Sequence, residues 1–302
     1  MKNKKQIIIT AAILVACLAV SVILSLASGN SEVLDSLLKL TGINSDTNDG
    51  TYPFTVSYID VGQGDSALIQ SDGINILIDS GEKDACESVV SYLKEKDVIS
   101  LDYVVVSHPH SDHIGSMSDV FDEFEVKNVI MPELDESNTP STALYENFLD
   151  DVAESGANVY AAEPLDKYSS GNMCMTVLAP CEQTDDLNEM SVAVTVSYGE
   201  KSFLFTGDAG KFSENLMLEN YRDYLDADVF KAGHHGSRHS NSSEFLSAVS
   251  PEVVVVSCGK DNSYGHPHKE AMTVFEKFSP VVFRTDIDST VTISTDGEKL
   301  YY

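Results

Sequence analysis

Ser107-His108-Pro109-His110-Ser111-Asp112-His113 follows directly on Asp102–Val106, a valine-rich run that reads as a strand. Three imidazoles and one carboxylate within six residues are metal ligands by chemical type, because imidazole and carboxylate suit zinc and its first-row neighbours. On a loop leaving a strand, residues two apart can face one ion while the next pair faces a second. One short segment can then supply two metals. The bland alternative is a solvated polar loop, and the rest of the chain argues against it.

Downstream, the predicted strand Ser202–Thr206 runs into Gly207-Asp208. An Asp in such a turn either caps the next helix, here from Lys211, or offers its carboxylate to a site. Two further histidine groups follow predicted strands: Gly233-His234-His235-Gly236-Ser237 with His239 nearby, and Tyr264-Gly265-His266-Pro267-His268. All eight histidines therefore fall in three loops after strands, and none in a helix interior. The flanking glycines allow close backbone approach and positive φ, which fits a site better than a packed core.

Around these loops the pattern alternates short β-branched runs with longer amphipathic ones. Strands are predicted at Phe54–Val61, Ser66–Gln70, Asn75–Asp79, Asp102–Val106, Met175–Leu178, Ser191–Ser197 and Ser202–Thr206, and again at Asp228–Lys231, Glu252–Ser257, Val281–Arg284 and Val291–Ser294. Helices are predicted near Asp84–Lys96, Thr142–Glu154, Lys211–Glu219, Ser243–Val249 and His268–Phe278. Two successive sheet-and-helix halves imply an α/β domain of about 250 residues, with two sheets packed together and helices outside.

The chain has 302 residues, of which 42% are hydrophobic and 22% charged, so it is mostly globular with a sizeable core. Its formal net charge of −29 repels polyanions unless a local positive centre reverses the field, which disfavours a broad nucleic-acid groove. A basic start, Met1–Gln6, leads into Ile7–Ala27, an apolar run of the length that crosses a bilayer, about 20 residues. The expected organisation is a signal anchor over 1–27, a polar spacer over 28–51 and a hydrolase domain over 52–302. Lys2, Lys4 and Lys5 would stay cytoplasmic, leaving the domain outside. Cleavage after Ser25-Leu26-Ala27, giving a secreted protein, or lipid attachment at Cys17 are the alternatives. Four further cysteines are too few for a disulfide scaffold. Cys174 and Cys181 are near enough to pair, with free thiols the simpler expectation.

In order along the chain, Ile59-Asp60-Val61-Gly62-Gln63-Gly64-Asp65-Ser66, Ile78-Asp79-Ser80-Gly81, the His108–His113 run, Asn188-Glu189-Met190-Ser191, Thr206-Gly207-Asp208, Gly233–Ser237 and Tyr264–Pro267 resemble the metallo-β-lactamase-fold hydrolases. The closer resemblance is to the branch that forms the C-terminal domain of ComEC-type DNA-uptake (competence) proteins. It covers Phe54 to Tyr302 and implies an αββα sandwich. Extracellular phosphorylcholine esterases of the same fold share the opening motif.

The resemblance implies that His108 and His110 bind one metal, Asp112 and His113 a second, and that Asp208 bridges them. Asp79 would orient ligands from behind. Many relatives supply a further histidine where this chain has Asn188, so the first site lacks its usual third ligand. Either His235 or His266 would complete the second site, and His234 would touch substrate phosphate or protonate the leaving group. Asp112 would bind metal, orient the nucleophile, or both. Zinc is the first expectation for the two divalent ions and manganese the second. Histidine rather than glutamate at position 110 speaks against the iron-type redox branch.

The activity implied is two-metal phosphodiester hydrolysis of DNA or of an envelope polymer or small molecule. With only three arginines, and charges that balance over Asp228–Arg284, DNA is not favoured over the others. Lactone, thioester or β-lactam hydrolysis on the same fold, or a metal-binding surface module without catalysis, are the competing classes.

Overall fold

Runs of Val, Ile, Phe and Thr become seventeen strands in the computed structural model, which describes residues 52–278 and 281–302. They are β1 (Phe54–Tyr58), β2 (Ala67–Ser71), β3 (Ile74–Ile78), β4 (Ser100–Leu101), β5 (Tyr103–Val105), β6 (Glu125–Val126), β7 (Asn128–Met131) and β8 (Asn158–Ala161) in the first half. The second half adds β9 (Lys167–Ser170), β10 (Met173–Ala179), β11 (Ala193–Tyr198), β12 (Lys201–Phe205), β13 (Val229–Lys231), β14 (Val253–Val256), β15 (Val281–Arg284), β16 (Val291–Thr295) and β17 (Leu300–Tyr301). Eight helices are interleaved among the described residues: α1 (Cys86–Glu95), α2 (Ser111–Ile114), α3 (Met117–Glu123), α4 (Ala143–Ser155), α5 (Lys211–Asn220), α6 (Ser243–Val249), α7 (Lys269–Phe278) and α8 (Thr285–Asp288). The expected anchor over 1–27 and spacer over 28–51 lie outside the described residues. Among the described residues no helix is long and apolar enough to cross a membrane.

Two large sheets form, ordered β17-β16-β1-β2-β3-β5-β7-β8 and β15-β14-β13-β12-β11-β10-β9. Each changes character partway across. In the first sheet β1, β2 and β3 pair antiparallel, and β3, β5, β7 and β8 run parallel. In the second, β9 to β12 pair antiparallel and β12 to β15 run parallel. The sheets meet through aromatic side chains: Phe54 lies 5.3 Å from Tyr198 and 5.1 Å from Phe203 between ring centroids, and Tyr58 lies 5.7 Å from Phe205.

The outer faces take the helices. Val89 and Leu93 of α1, Val120 of α3, and Phe148 and Val152 of α4 join Leu68, Leu77 and Val104 in one buried cluster. Met217 of α5, Phe245, Leu246 and Val249 of α6, and Phe275 of α7 join Leu204, Phe230 and Val254 in the other. The order is helices, sheet, sheet, helices, and the α/β sandwich expected from the sequence is the architecture present.

Two sequence expectations need correction. His113 lies inside the short helix α2 rather than in a loop, because the His110 carbonyl accepts the N–H groups of both His113 and Ile114 and closes a helical turn. Strands β4, β6, β7, β8, β9 and β17 fall outside the predicted ones. The side chains of β8 are exposed along its whole length, so no apolar alternation marks it. The four cysteines among the described residues are free thiols.

Candidate metal centre

Most of the histidines and carboxylates of interest stand just past the carboxyl end of a strand in the parallel part of a sheet, the position where open α/β sheets bind ligands. Asp79 follows β3, the His108–His113 segment follows β5, Asp208 follows β12, and His234 and His235 follow β13. Backbone bonds hold these loops against one another. Asp65 N–H donates to the Asp112 carbonyl at 3.0 Å, and His234 N–H to the Gly207 carbonyl at 2.9 Å. Gly64 makes the first approach possible: at φ +142°, a Cβ here would stand 2.4 Å from the Asp112 carbonyl oxygen.

Asp112, His113, Asp208 and His235 each offer a donor atom within 4.8 Å of the others. His235 Nε2 is 3.2 Å from Asp112 Oδ2 and 3.5 Å from Asp208 Oδ1, and His113 Nε2 is 3.4 Å from Asp208 Oδ1. Two donors bound 2.0–2.2 Å from one ion at a tetrahedral angle stand about 3.4 Å apart, so this donor set fits a divalent ion. His113 Nε2, His235 Nε2 and Asp208 Oδ1 are also buried with no hydrogen-bond partner among the described residues. Unpartnered polar atoms are costly in a protein interior, and three that converge on one point are what a cation would satisfy.

His108 and His110 lie beside this group, with His108 Nε2 3.0 Å from His110 Nδ1 and 4.0 Å from Asp208 Oδ2. Asp208 thus turns one oxygen toward His113 and His235 and the other toward His108. The second oxygen also faces His234 Nε2 at 3.5 Å. His266 stands apart from the four-residue group, its ring centroid 6.0 Å from that of His235 and 5.7 Å from Tyr264, with which it stacks. Its Nδ1, like Asn188 Oδ1, is buried and has no partner among the described residues. Both residues line an open cleft of about 360 Å³, together with Gln63, His110, His234 and Tyr264.

Behind the histidines stands a layer of hydrogen-bond acceptors. Asp79 Oδ2 is 2.8 Å from His113 Nδ1, and the Ser107 hydroxyl donates to the same oxygen at 2.6 Å. His235 Nδ1 lies 3.1 Å from both the Ser257 carbonyl and Asp65 Oδ1. His108 Nδ1 has the hydroxyls of Ser107 at 3.1 Å and Ser191 at 3.4 Å. Asp208 does not cap α5. Glu189 Oε2 accepts the N–H groups of Gly210 and Ser213 at 3.0 and 2.9 Å, which frees the Asp208 carboxylate for the cleft.

The electrostatics demand positive charge at this point. Burial opposes charge on His113, but Asp208 and Asp79 outweigh it and raise its pKa well above the ordinary histidine range. Burial likewise opposes charge on His235, yet Asp208 and Asp65 lift it to about 10. Asp112 and Asp208 are held well below the usual carboxylate range, their desolvation overcome by the neighbouring histidines. Burial drives His108 well down and His266 down to about 4, leaving both as neutral imidazoles.

His234 and His235 both adopt left-handed backbone, at φ 50° and 52°, a conformation non-glycine residues hold only when their surroundings impose it. The imposing group is Asn241, whose Oδ1 accepts Gly233 N–H at 2.9 Å and whose Nδ2 donates to the carbonyls of Gly233 and Ser237. Glu214 in turn accepts the N–H groups of Asn241 and Ser242.

Sequence reasoning assigned no role to Asp65, Lys231, Glu189, Glu214 or Asn241. A signal for two of them existed. Asp65 closes the Gly62-Gln63-Gly64-Asp65 turn, and Lys231 is the one charge in the buried strand Val229-Phe230-Lys231.

Comparison with known proteins agrees with this architecture. The metallo-beta-lactamase superfamily profile matches residues 59–172. ComE operon protein 3 of Bacillus subtilis is 28% identical over 256 residues, covering 78% of this chain and 32% of that protein. Recombination protein 2 of Haemophilus influenzae is 28% identical over 252 residues, covering 81% and 29%. The chain therefore spans about a third of the length of these curated relatives. Among solved structures, the metallo-beta-lactamase fold protein YhfI from Bacillus subtilis superposes with a TM-score of 0.54 at 16% identity, over 79% of this chain and 98% of that one, a likeness of fold alone.

Proposed function

Because the chain carries a metallo-β-lactamase domain related to those of competence proteins, we propose that it is a metal-dependent phosphodiesterase with a two-ion centre. The observation that carries this reading is the convergence of His113 Nε2, His235 Nε2 and Asp208 Oδ1, all buried and unpartnered among the described residues.

In this reading Asp112, His113, Asp208 and His235 hold one divalent ion, and His108, His110 and Asp208 the other. Two such ions would supply the Lewis acidity that lowers the pKa of a water and offsets negative charge on phosphoryl oxygens. The chain's own residues do the rest. Asp208 spans the two groups with its two oxygens, and Asp79 keeps the His113 proton on Nδ1 so that Nε2 is the nitrogen that would bind metal. Asp112, one-fifth exposed at the cleft floor, is placed to ligate and to orient the attacking water. His234, one-quarter exposed, reaches an incoming phosphate or the leaving oxygen as a hydrogen-bond donor. His266 and Asn188 face the substrate side of the same cleft. Zinc suits the imidazole-carboxylate set first and manganese second.

The strongly negative chain favours a small or envelope-borne phosphodiester over DNA as substrate. The apolar stretch 7–27 supports membrane attachment with the catalytic domain outside.

The test is hydrolysis of bis(p-nitrophenyl) phosphate by the full-length chain in detergent micelles, reconstituted with zinc or manganese. Turnover that disappears in Asp112→Ala and Asp208→Ala is expected. Normal turnover in either variant, or turnover only on a lactone, thioester or β-lactam, overturns the assignment.

A further inference from the structure

Lys231 closes β13 with its side chain only 4% exposed, next to that of Asp65 at 7%. Their side chains form a direct ion pair although they lie 166 residues apart in the chain. A buried ion pair adds little stability over apolar residues of similar volume, so its presence calls for another account. The surroundings of Asp65 supply one. Its Oδ1 lies 3.1 Å from His235 Nδ1, and its Oδ2, the oxygen that holds Lys231, lies 4.0 Å from His113 Nδ1. These are the two histidines whose Nε2 atoms point unpartnered into the four-residue group.

We propose that Asp65 and Lys231 form a positioning pair that fixes His235 in the orientation and tautomer a metal ion requires. The inference rests on the metal centre proposed above. Both groups within 3.1 Å of His235 Nδ1, the Ser257 carbonyl and Asp65 Oδ1, can only accept. The Nδ1 proton is therefore retained, and Nε2, facing Asp112 and Asp208, is the nitrogen that would exchange its proton for a metal ion. A carboxylate behind a ligating imidazole raises its basicity as well as fixing its direction. Asp65 stands behind His235 as Asp79 stands behind His113, but the His235 Nδ1 hydrogen bond is directed at the Ser257 carbonyl and Asp65 Oδ1 faces the same nitrogen as a charge at 3.1 Å. They also differ in how they are held: Asp79 by the Ser107 N–H and hydroxyl, Asp65 by a full positive charge. Lys231 offsets the Asp65 charge, so a fourth carboxylate stands behind the centre without adding net negative charge to it.

The experiment uses the full-length chain and needs no turnover. Zinc affinity is titrated against a competing chelator, and the thermal midpoint is measured in the metal-free state, for wild type, Asp65→Asn, Lys231→Met and the double variant. Asp65→Asn is expected to weaken the tighter zinc event by about 10- to 100-fold. Lys231→Met strands a buried carboxylate and lowers the metal-free midpoint. The double variant, with neither charge of the pair, recovers that midpoint yet keeps the weakened zinc binding.

Recovery of wild-type affinity together with the midpoint in the double variant shows an ion pair that merely holds two strands, and overturns the proposal. Wild-type binding by Asp65→Asn overturns it while leaving the metal centre intact. A wild-type chain that takes up no zinc overturns both readings together.

Discussion

Asp79 bonds to His113 Nδ1 at 2.8 Å through one oxygen and accepts the Ser107 N–H at 2.7 Å through the other, so a single side chain ties the end of β3 to both ends of the His108–His113 segment. Asp79→Asn can keep the Ser107 bond but puts an amide at the second oxygen or leaves a weaker acceptor there. The expected result is a folded protein that loses zinc to a chelator about 10- to 100-fold more readily. Zinc retention equal to wild type would show that His113 is oriented by other means.

Glu189 supplies the cap of α5, since its Oε2 takes the free N–H groups of Gly210 and Ser213. Glu189→Ala is expected to cost about 1–2 kcal/mol, the upper range for loss of an N-terminal cap, read from urea unfolding of the metal-free chain. A smaller change would mean that water replaces the carboxylate at little cost.

Glu214 gives the fold a pH dependence away from the metal ligands. Burial lifts it to about 7 despite the hydrogen bonds it accepts from Ser242 and Asn241, and Glu189 adds to the rise. A folded-state pKa above the unfolded one favours the neutral form in the fold. The stabilising contribution is thus complete below the ordinary glutamate range and is lost as pH rises toward and through 7. Over that window the change is about 3 kcal/mol. Glu214→Gln retains an acceptor for Asn241 but cannot ionise, so its stability should vary less between pH 4.5 and 7.5 than that of wild type. Parallel unfolding curves for the two proteins across this range would refute the assignment.

Asn188 lines the cleft, and its Oδ1 is buried with no hydrogen-bond partner among the described residues. Asn188→His offers an imidazole in place of a weaker amide oxygen. The weaker of the two metal-binding events should tighten by about tenfold or more, as seen by calorimetric titration with zinc. An unchanged titration would place Asn188 on the substrate side alone.

Much of this was legible along the chain. The predicted strand Val281–Arg284 and helix Ser243–Val249 coincide with the observed elements, because a short apolar run or amphipathic period is a local property. The exposed edge strand β8 escaped notice for the converse reason, since a strand paired only at a sheet margin has no buried face to leave an apolar alternation. The helical turn around His113 was hidden too, because a four-residue helix has no period to read.

The centre divides along the same line. Histidine and carboxylate types crowded into Ser107–His113, together with Asp208 and the pair His234-His235, announce metal chemistry from order alone, since ligand chemistry resides in side-chain type. Folding alone separates His235, 3.2 Å from Asp112, from His266, whose ring lies 6.0 Å from that of His235. It also assigns capping to Glu189 and leaves Asp208 free, and it brings Lys231 to Asp65. The contacts of His235 with Asp112 and of Lys231 with Asp65 join loops at the ends of two different sheets. Their distances depend on how the sheets stack, and no spacing along the chain encodes that.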